Sequence, residues 1–512
     1  MSAKPETGRI VCGDRAVTLD DFHARTARAA TGLSALGLTA GDTVALLLRN
    51  EIEFLEATFA AASLGCYPVP INWHFHAEEV AYVLDNSGAR VLVAHDALLR
   101  QCESVIAEDI HILEVPSTAG LIAAYGAPGR PAKRRSPDWS EWLQTFGPLA
   151  SPERNPPGAM LYTGGTTGHP KGVRYAPPTA QQTEAMAAMR AGVFGHRSGM
   201  RTVMCAPLYH SAPFSYTQGA VRQSGEVHLL PRFDAEALLA TIARERISHL
   251  YAVPTMFVRL LRLPEAVRTR YDVSSLEWVI HAAAPCAPEV KRQMIEWFGP
   301  VVHEAYAATE TGWLTCCDSA EAMAHPGTVG RVIEGAQVRI FSEDGAPAEV
   351  GEAGEIFGRH RSMPDFTYYK QDDKRREIER DGLVTAGDIG YFDAGGYLYL
   401  CDRRIDMIIS GGVNIYPAEI EAALIAMADI HDCAVFGVPD DEFGERVAAA
   451  VQLAEGAGTT ETDIREFLKD RIAGYKIPRV IEFVGEIPRL DSGKLLKRKL
   501  RDPYWVGRDR SI

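Results

Sequence analysis

Residues 161–173 read Leu161-Tyr-Thr-Gly-Gly-Thr-Thr-Gly-His-Pro-Lys-Gly-Val173. A short apolar run enters a loop of glycines and threonines and leaves it on a lysine. The glycines Gly164, Gly165 and Gly168 leave backbone N–H groups uncovered. The hydroxyls of Thr163, Thr166 and Thr167 add donors, and Lys171 adds a cation. That combination suits a polyphosphate. It is not a Walker A loop, because no Gly-Lys-Ser/Thr follows the glycines. A bare glycine-rich loop reads first as a flexible turn; three hydroxyls and a lysine shift the reading to a ligand.

On either side of this loop, apolar runs alternate with helix-type segments. Residues 44–48, 90–94, 201–206, 250–253 and 278–282 have the texture of buried strands, and 51–63, 76–84 and 235–246 that of helices. Such alternation points to βα units on a largely parallel sheet, covered on both faces. Residues 125–138 are rich in Pro, Gly, Arg and Lys and read as an exposed loop. From Gln337 the strands shorten and are separated by Asp-Gly and Gly-Gly turns, an antiparallel texture. After about Arg403 a compact helix–strand–strand–helix–strand segment closes the chain. The fold class is therefore α/β: a large N-terminal lobe over residues 1–402 that includes a β-rich subdomain, and a small α+β domain over 403–512.

The chain has 512 residues, 46% of them hydrophobic and 23% charged, which excludes a disordered or fibrous protein. Lys and Arg number 53 against 67 Asp and Glu, a formal charge of −14. Broad binding to nucleic acid or to an anionic membrane is disfavoured on that balance. Nine scattered cysteines without zinc spacing read as free thiols. No secretory h-region opens the sequence, and no apolar stretch reaches the ~20 residues of a membrane span. A cytoplasmic protein without membrane insertion is the expectation.

Six further motifs follow the loop in order: Pro207-Leu-Tyr-His210, Tyr306-Ala-Ala-Thr-Glu310, Ala386-Gly-Asp-Ile-Gly390, Asp402-Arg-Arg-Ile-Asp406, Ser410-Gly-Gly-Val-Asn-Ile-Tyr-Pro-Ala-Glu-Ile-Glu421 and Pro488-Arg-Leu-Asp-Ser-Gly-Lys494. With the loop, they resemble the adenylate-forming superfamily of acyl-CoA synthetases, peptide-synthetase adenylation domains and luciferases. The resemblance covers nearly the whole chain. It implies an ATP-dependent acid–thiol ligase in which a carboxylate attacks ATP to give acyl-adenylate and pyrophosphate, and a thiol then displaces AMP.

The resemblance also implies roles. Glu310 would hold Mg²⁺, a hard cation that prefers carboxylate oxygen, and Thr309 would donate to the α-phosphate. Asp388, with Arg403 beside it, would take the ribose hydroxyls. Ala283, Ala284, Ala305 and Tyr306 would wall the adenine. Lys494 would bridge the carboxylate and the α-phosphate during adenylation, offsetting the repulsion between two anions. His210 would gate the passage between acyl pocket and thiol channel. The acyl pocket would include Tyr209, Ser211, Phe214, Ala282, Ala307, Ala308 and Trp313. Ser410, Gly411 and Gly412 would line the pantetheine tunnel once the small domain has swung about Ile405, and Phe443, Tyr475 and Arg479 align with positions used for the CoA nucleotide.

Four positions depart from the family pattern. Gly164 stands for a serine, Ala307 for a glycine, Ala386 for a threonine, and Ile405 for a charged or small polar hinge residue. A lost hydroxyl contact costs about 0.5–1.5 kcal/mol, which slows adenylation without abolishing it. Alternatives therefore stand beside a full ligase: a specialist that thioesterifies a supplied acyl-adenylate, and a silent nucleotide- or acyl-binding relative. CoA is preferred to an acidic carrier protein as acceptor, since no basic patch is evident. The pocket residues contain no cation, which disfavours a dicarboxylate and favours a bulky, mainly apolar acid. The sequence leaves room for a homodimer.

Overall fold

Strands Thr43–Leu47 and Val91–His95 are buried at every residue, as parallel strands covered on both faces must be. They form the centre of a parallel four-stranded sheet in the order Tyr67–Pro70, Thr43–Leu47, Val91–His95, His111–Val115. The structure is a computed structural model that describes residues 8–126, 136–153, 155–163, 170–223, 225–489 and 495–506. Its chain divides into two compact units. One comprises Met1–Tyr251, Leu263–Ile280 and His360–Glu379; the other comprises Ala252–Arg262, His281–Arg359 and Arg380–Ile512. The boundary expected at 402/403 falls inside the second unit.

In the first unit, helices Ile52–Ser63 and Ala77–Ser87 follow the strands of the parallel sheet. The second of these starts at His76, whose backbone N–H donates to Glu79 at 2.9 Å, and stops at Gly88 in the left-handed region. Glu56, fully buried on Ile52–Ser63, accepts from Trp139 Nε1 at 2.8 Å and from Arg25 Nη2 at 3.0 Å. It thereby ties the helices Leu19–Ala35 and Trp139–Gln144 to its own. A second set of strands centres on Arg201–Met204, paired in parallel with Glu226–Leu229 and with His249 and Leu250. Arg9–Cys12 adds to Glu226–Leu229 in parallel, and Arg15–Thr18 closes that edge antiparallel. Leu161–Thr163, Lys171–Tyr175 and Phe366–Tyr368 form a small antiparallel sheet.

The second unit is antiparallel where the sequence changes texture. Leu383–Phe392 pairs with Gly354–His360 on one side and Leu398–Arg403 on the other. The hairpin Val302–Ala308/Gly312–Cys317 precedes it. Further on, Ile430–Asp440 and Gly444–Leu453 make a long hairpin joined by Ile408–Ser410 and, in parallel, by Val480–Phe483. Ile420 and Leu424 of helix Pro417–Ile425, and Ile464 and Leu468 of helix Glu461–Lys469, pack with Ile408, Val435 and Val451 into a core with almost no exposure. All nine cysteines are free. Among the described residues no helix is long and apolar enough to cross a membrane.

Candidate active site

In the first unit, Thr163 ends its strand directly opposite Lys171, the first residue of the next. The two therefore stand at the mouth of the loop between them. Lys171 holds its ammonium 4.9 Å from the centre of the Tyr368 ring. Gly164, Gly165, Thr166, Thr167 and Gly168 lie outside the described residues. His210 immediately precedes helix Ser211–Arg222, and its ring lies 4.2 Å from that of Tyr209. Tyr209 is buried edge-on to Trp73, and Phe214, one turn into the helix, is buried edge-on to Phe54. Ser211 is the first residue of the same helix. The unit thus brings His210 together with Tyr209, Ser211 and Phe214.

In the second unit, the phenol of Tyr306 donates to Asp388 Oδ2 at 2.8 Å. Arg403 Nε lies 3.4 Å from Asp388 Oδ1 on the facing strand, where Asp388 and Arg403 are register partners. Burial, reinforced by the Asp388 carboxylate, pushes the Tyr306 phenol well above its ordinary value, so it stays a donor. Gly387, at φ +79, makes the bend beside Asp388, and its N–H donates to Thr385 Oγ1 at 2.9 Å. A hydroxyl thus stands one residue before Ala386, where the family pattern has its threonine. On the other hairpin, a bulge between Tyr306 and Ala307 sets Ala307 opposite Trp313, and Ala308 opposite Gly312. Thr309 and Glu310 form the turn at its tip, half-buried, while Ala305 is buried in the strand.

Ala282 is buried, Ala284 is half-buried, and Ala283 is exposed with φ +77. A non-glycine residue rarely adopts that conformation. His281, just before them, is packing: it is fully buried, edge-on to Phe257 with ring centres 5.1 Å apart, and burial holds it well below its ordinary pKa. Behind it, buried Lys291 donates to Glu304 and to Thr328 O. Burial pushes the Glu304 carboxyl up against the opposing pull of Lys291. Sequence reasoning passed over this pair, which braces the strand two residues before Tyr306.

Ser410, Gly411 and Gly412 turn between two short strands, with φ +59 and +79 at the glycines. Gly411 N–H donates to Phe443 O at 2.8 Å. A Cβ on Gly411 would stand 2.9 Å from the Phe443 ring, so glycine is what lets the turn lie against it. The Arg479 guanidinium lies 5.8 Å from the same ring. Phe443 and Tyr475 are 39% and 59% exposed, which rules out the core role usual for aromatics in a small domain.

Lys494 lies outside the described residues. Three residues later, Lys497 is buried and pairs with Glu421 at 3.0 Å and Asp402 at 4.0 Å. Arg501 donates to the carbonyl of Ile405 at 3.5 Å and lies 3.8 Å from Asp406. The short helix Lys497–Arg501 therefore holds the Asp402–Asp406 motif from behind. Within the run Lys497-Arg498-Lys499 nothing local distinguishes the buried lysine from its exposed neighbours.

The chain matches the model of AMP-binding enzymes over residues 1–364 and that of the AMP-binding enzyme C-terminal domain over residues 419–494. It is 32% identical over 492 residues to the long-chain-fatty-acid–CoA ligase FadD13 of Mycobacterium tuberculosis, covering 96% of this chain and 94% of that one. It is 31% identical to the feruloyl-CoA synthase of Amycolatopsis sp, covering 97% and 96%. Among solved structures, o-succinylbenzoate CoA synthetase (MenE) from Bacillus subtilis, in complex with its acyl-adenylate intermediate, superposes with a TM-score of 0.80 at 27% identity, covering 98% and 96%. The chain belongs to the AMP-binding enzyme family and, within the adenylate-forming superfamily, is an AMP-forming acid–thiol ligase of the acyl-CoA ligase branch.

Proposed function

We propose that the protein activates a bulky, mainly apolar carboxylic acid with ATP and passes the acyl group to CoA. The observation that carries this is the Tyr306–Asp388–Arg403 cluster, a buried donor and a cation flanking a carboxylate that keeps an open edge. Asp388 would accept from the ribose hydroxyls, with Ala283, Ala284, Ala305 and Tyr306 against the base. Thr163, Lys171 and the Gly164–Gly168 loop would hold the phosphates, and Thr309 the α-phosphate. A carboxylate oxygen attacks the α-phosphorus, the bond to the β-phosphate breaks, and pyrophosphate leaves. Lys494 would stand between the two anions as they meet.

Glu310 fits a Mg²⁺ site: a single carboxylate at a half-buried hairpin tip suits a cation that keeps several waters and shares phosphate oxygens. Bound there, the ion would offset charge on the phosphates. In the second step the thiol sulfur attacks the acyl carbonyl and AMP leaves. His210 would gate that approach. Residues 403–512 would turn about Ile405 between steps, bringing Ser410, Gly411 and Gly412 to the pantetheine, with Phe443, Tyr475 and Arg479 for the nucleotide end of CoA. Tyr209, Ser211, Phe214, Ala282, Ala307, Ala308 and Trp313 carry no charge and, as acyl-pocket residues, would suit an apolar acid; two relatives are named as a long-chain-fatty-acid–CoA ligase and a feruloyl-CoA synthase.

Acid-dependent ATP–pyrophosphate exchange across an acid panel, run beside CoA capture of supplied acyl-adenylates, tests the reading. Exchange with transfer to CoA supports a full ligase. Capture without exchange replaces it by the thioesterification specialist, which the departures at Gly164, Ala307 and Ala386 favour. Neither activity points to a silent relative.

A further inference from the structure

Asp388 sits on an irregularity of its strand. Thr385 stands opposite Phe357 and Ile389 opposite Glu355, so Ala386, Gly387 and Asp388 together face Ile356 alone. The surplus residues arch away from the partner strand, and Gly387 takes φ +79 at the bend. Among the described residues, nothing beyond its chain neighbours lies within 4 Å of the place a Cβ on Gly387 would occupy, so that side of the arch is open. Residues in such an arch leave the regular ladder of hydrogen bonds. Where the Asp388 carboxylate points therefore depends on what else ties the arch down.

Side chains supply the tie. The Gly387 N–H donates to Thr385 Oγ1 at 2.9 Å, and that hydroxyl donates to Glu355 Oε1 at 3.0 Å. One hydroxyl thus joins the bend of the arch to the facing strand. The other oxygen of Glu355 accepts from Arg404 Nη1 at 3.1 Å, which fixes the plane of the carboxylate. Thr385 is buried, and the side chains of Glu355 and Arg404 are 21% and 61% exposed. The bond from Thr385 to a largely shielded carboxylate is consequently the strong member of the chain, and the pair with Arg404 is screened by solvent. Thr385, Glu355 and Arg404 all belong to the second unit, as do Tyr306, Asp388 and Arg403.

We propose that Thr385 and Glu355 are positioning residues for the ribose site. By tying the arch at its base they aim the Asp388 carboxylate at the two ribose hydroxyls. The proposal rests on the reading of Asp388 as the ribose ligand and deepens it with two residues that act through the backbone of the arch. Tyr306 and Arg403 hold the carboxylate itself; Thr385 and Glu355 hold the segment that carries it.

Calorimetric binding of AMP, and of dideoxy-AMP lacking both ribose hydroxyls, to the full chain tests this without turnover. Wild type is expected to bind AMP about tenfold or more tighter than the dideoxy nucleotide. Thr385→Val keeps the shape and loses the hydroxyl. It should weaken AMP about 3- to 10-fold and leave the dideoxy nucleotide within about twofold, so the ratio shrinks. Thr385→Ser returns the hydroxyl and should restore the ratio. Glu355→Ala truncates a partly exposed side chain that the fold tolerates, and it should shrink the ratio as Thr385→Val does. A wild type that binds both nucleotides equally ends the ribose reading of Asp388, and this proposal with it. If wild type discriminates, the positioning role alone is overturned by a ratio that survives in Thr385→Val and Glu355→Ala. Equal loss of both nucleotides in those variants, or a ratio that Thr385→Ser leaves shrunken, overturns it as well.

Discussion

The Tyr306 hydroxyl and Asp388 Oδ2 are 2.8 Å apart, and the hydrogen bond spans the two antiparallel hairpins of the second unit. It fixes the carboxylate from one side while Arg403 lies 3.4 Å away on the other. Asp388 has little rotational freedom left, yet 14% of its side chain is still open to a ligand.

Tyr306→Phe removes that hydroxyl and keeps the ring. A hydrogen bond to a charged group contributes about 1.5–3 kcal/mol, less here because the carboxylate is partly solvated. KM for ATP should rise about 5- to 30-fold, with KM for the acid nearly unchanged. Steady-state kinetics with each substrate varied in turn checks it, and an unaltered ATP response would remove Asp388 from the ribose role.

Ala283→Gly should stabilise the protein. Ala283 has φ +77 and an exposed methyl, so glycine loses no packing and gains a conformation it adopts freely. The greater freedom of glycine in the unfolded chain offsets part of the relief. A net gain of about 0.5 kcal/mol in urea unfolding is expected, and a loss would mean that the left-handed turn is not strained by alanine.

Lys497 and Lys499 are separated by one residue in one basic run and should behave differently. Lys497→Met leaves the largely buried Asp402 side chain and the partly buried Glu421 without their cation, a change that costs about 3 kcal/mol. Lys499→Met alters an exposed side chain and should stay within about 0.5 kcal/mol. Denaturation of both variants against wild type reads the contrast directly.

That contrast marks where sequence stops being legible. Strands 44–48 and 90–94 were readable because both faces are covered, and the observed strands Thr43–Leu47 and Val91–His95 differ from them by one residue at each end. Helix Ala235–Glu245 has a strong apolar stripe and ends one residue short of the expected 246. Tyr306, Asp388 and Arg403 were readable through their motifs, as was the place of Arg403 beside Asp388, but the hydrogen bond from Tyr306 to Asp388 was not. Lys497 and Lys291 were passed over for the same reason. Whether a cation is paired depends on a residue remote in sequence, and local composition carries no trace of that partner. The left-handed turn at Ala283 was hidden because alanine does not advertise it as glycine would.

Asp402 should make stability fall as pH rises through a narrow window. Burial pushes its carboxyl up to about 6, against the pull of Lys497 at 4.0 Å; Glu421 raises it further, the Ala418 N–H donating at 2.8 Å lowers it, and Asp406 raises it. The unfolded value is about 3.9. Between about pH 4 and about pH 6 the folded chain keeps a proton that the unfolded chain has released, so folding is favoured at the acid end of the window. This contribution is fully present below about pH 4 and lost above about pH 6, and two pKa units correspond to about 2–3 kcal/mol. Asp402→Asn cannot titrate. Its amide also meets the Arg403 N–H that donates to Asp402 at 2.7 Å, so the comparison rests on slopes and not on absolute stability. Urea unfolding near pH 4 and near pH 7 should show wild type losing about 2 kcal/mol relative to Asp402→Asn. Parallel pH dependences would mean that Lys497 holds Asp402 ionised throughout, and the helix Lys497–Arg501 would then grip the linker motif by a fixed ion pair at every pH in that range.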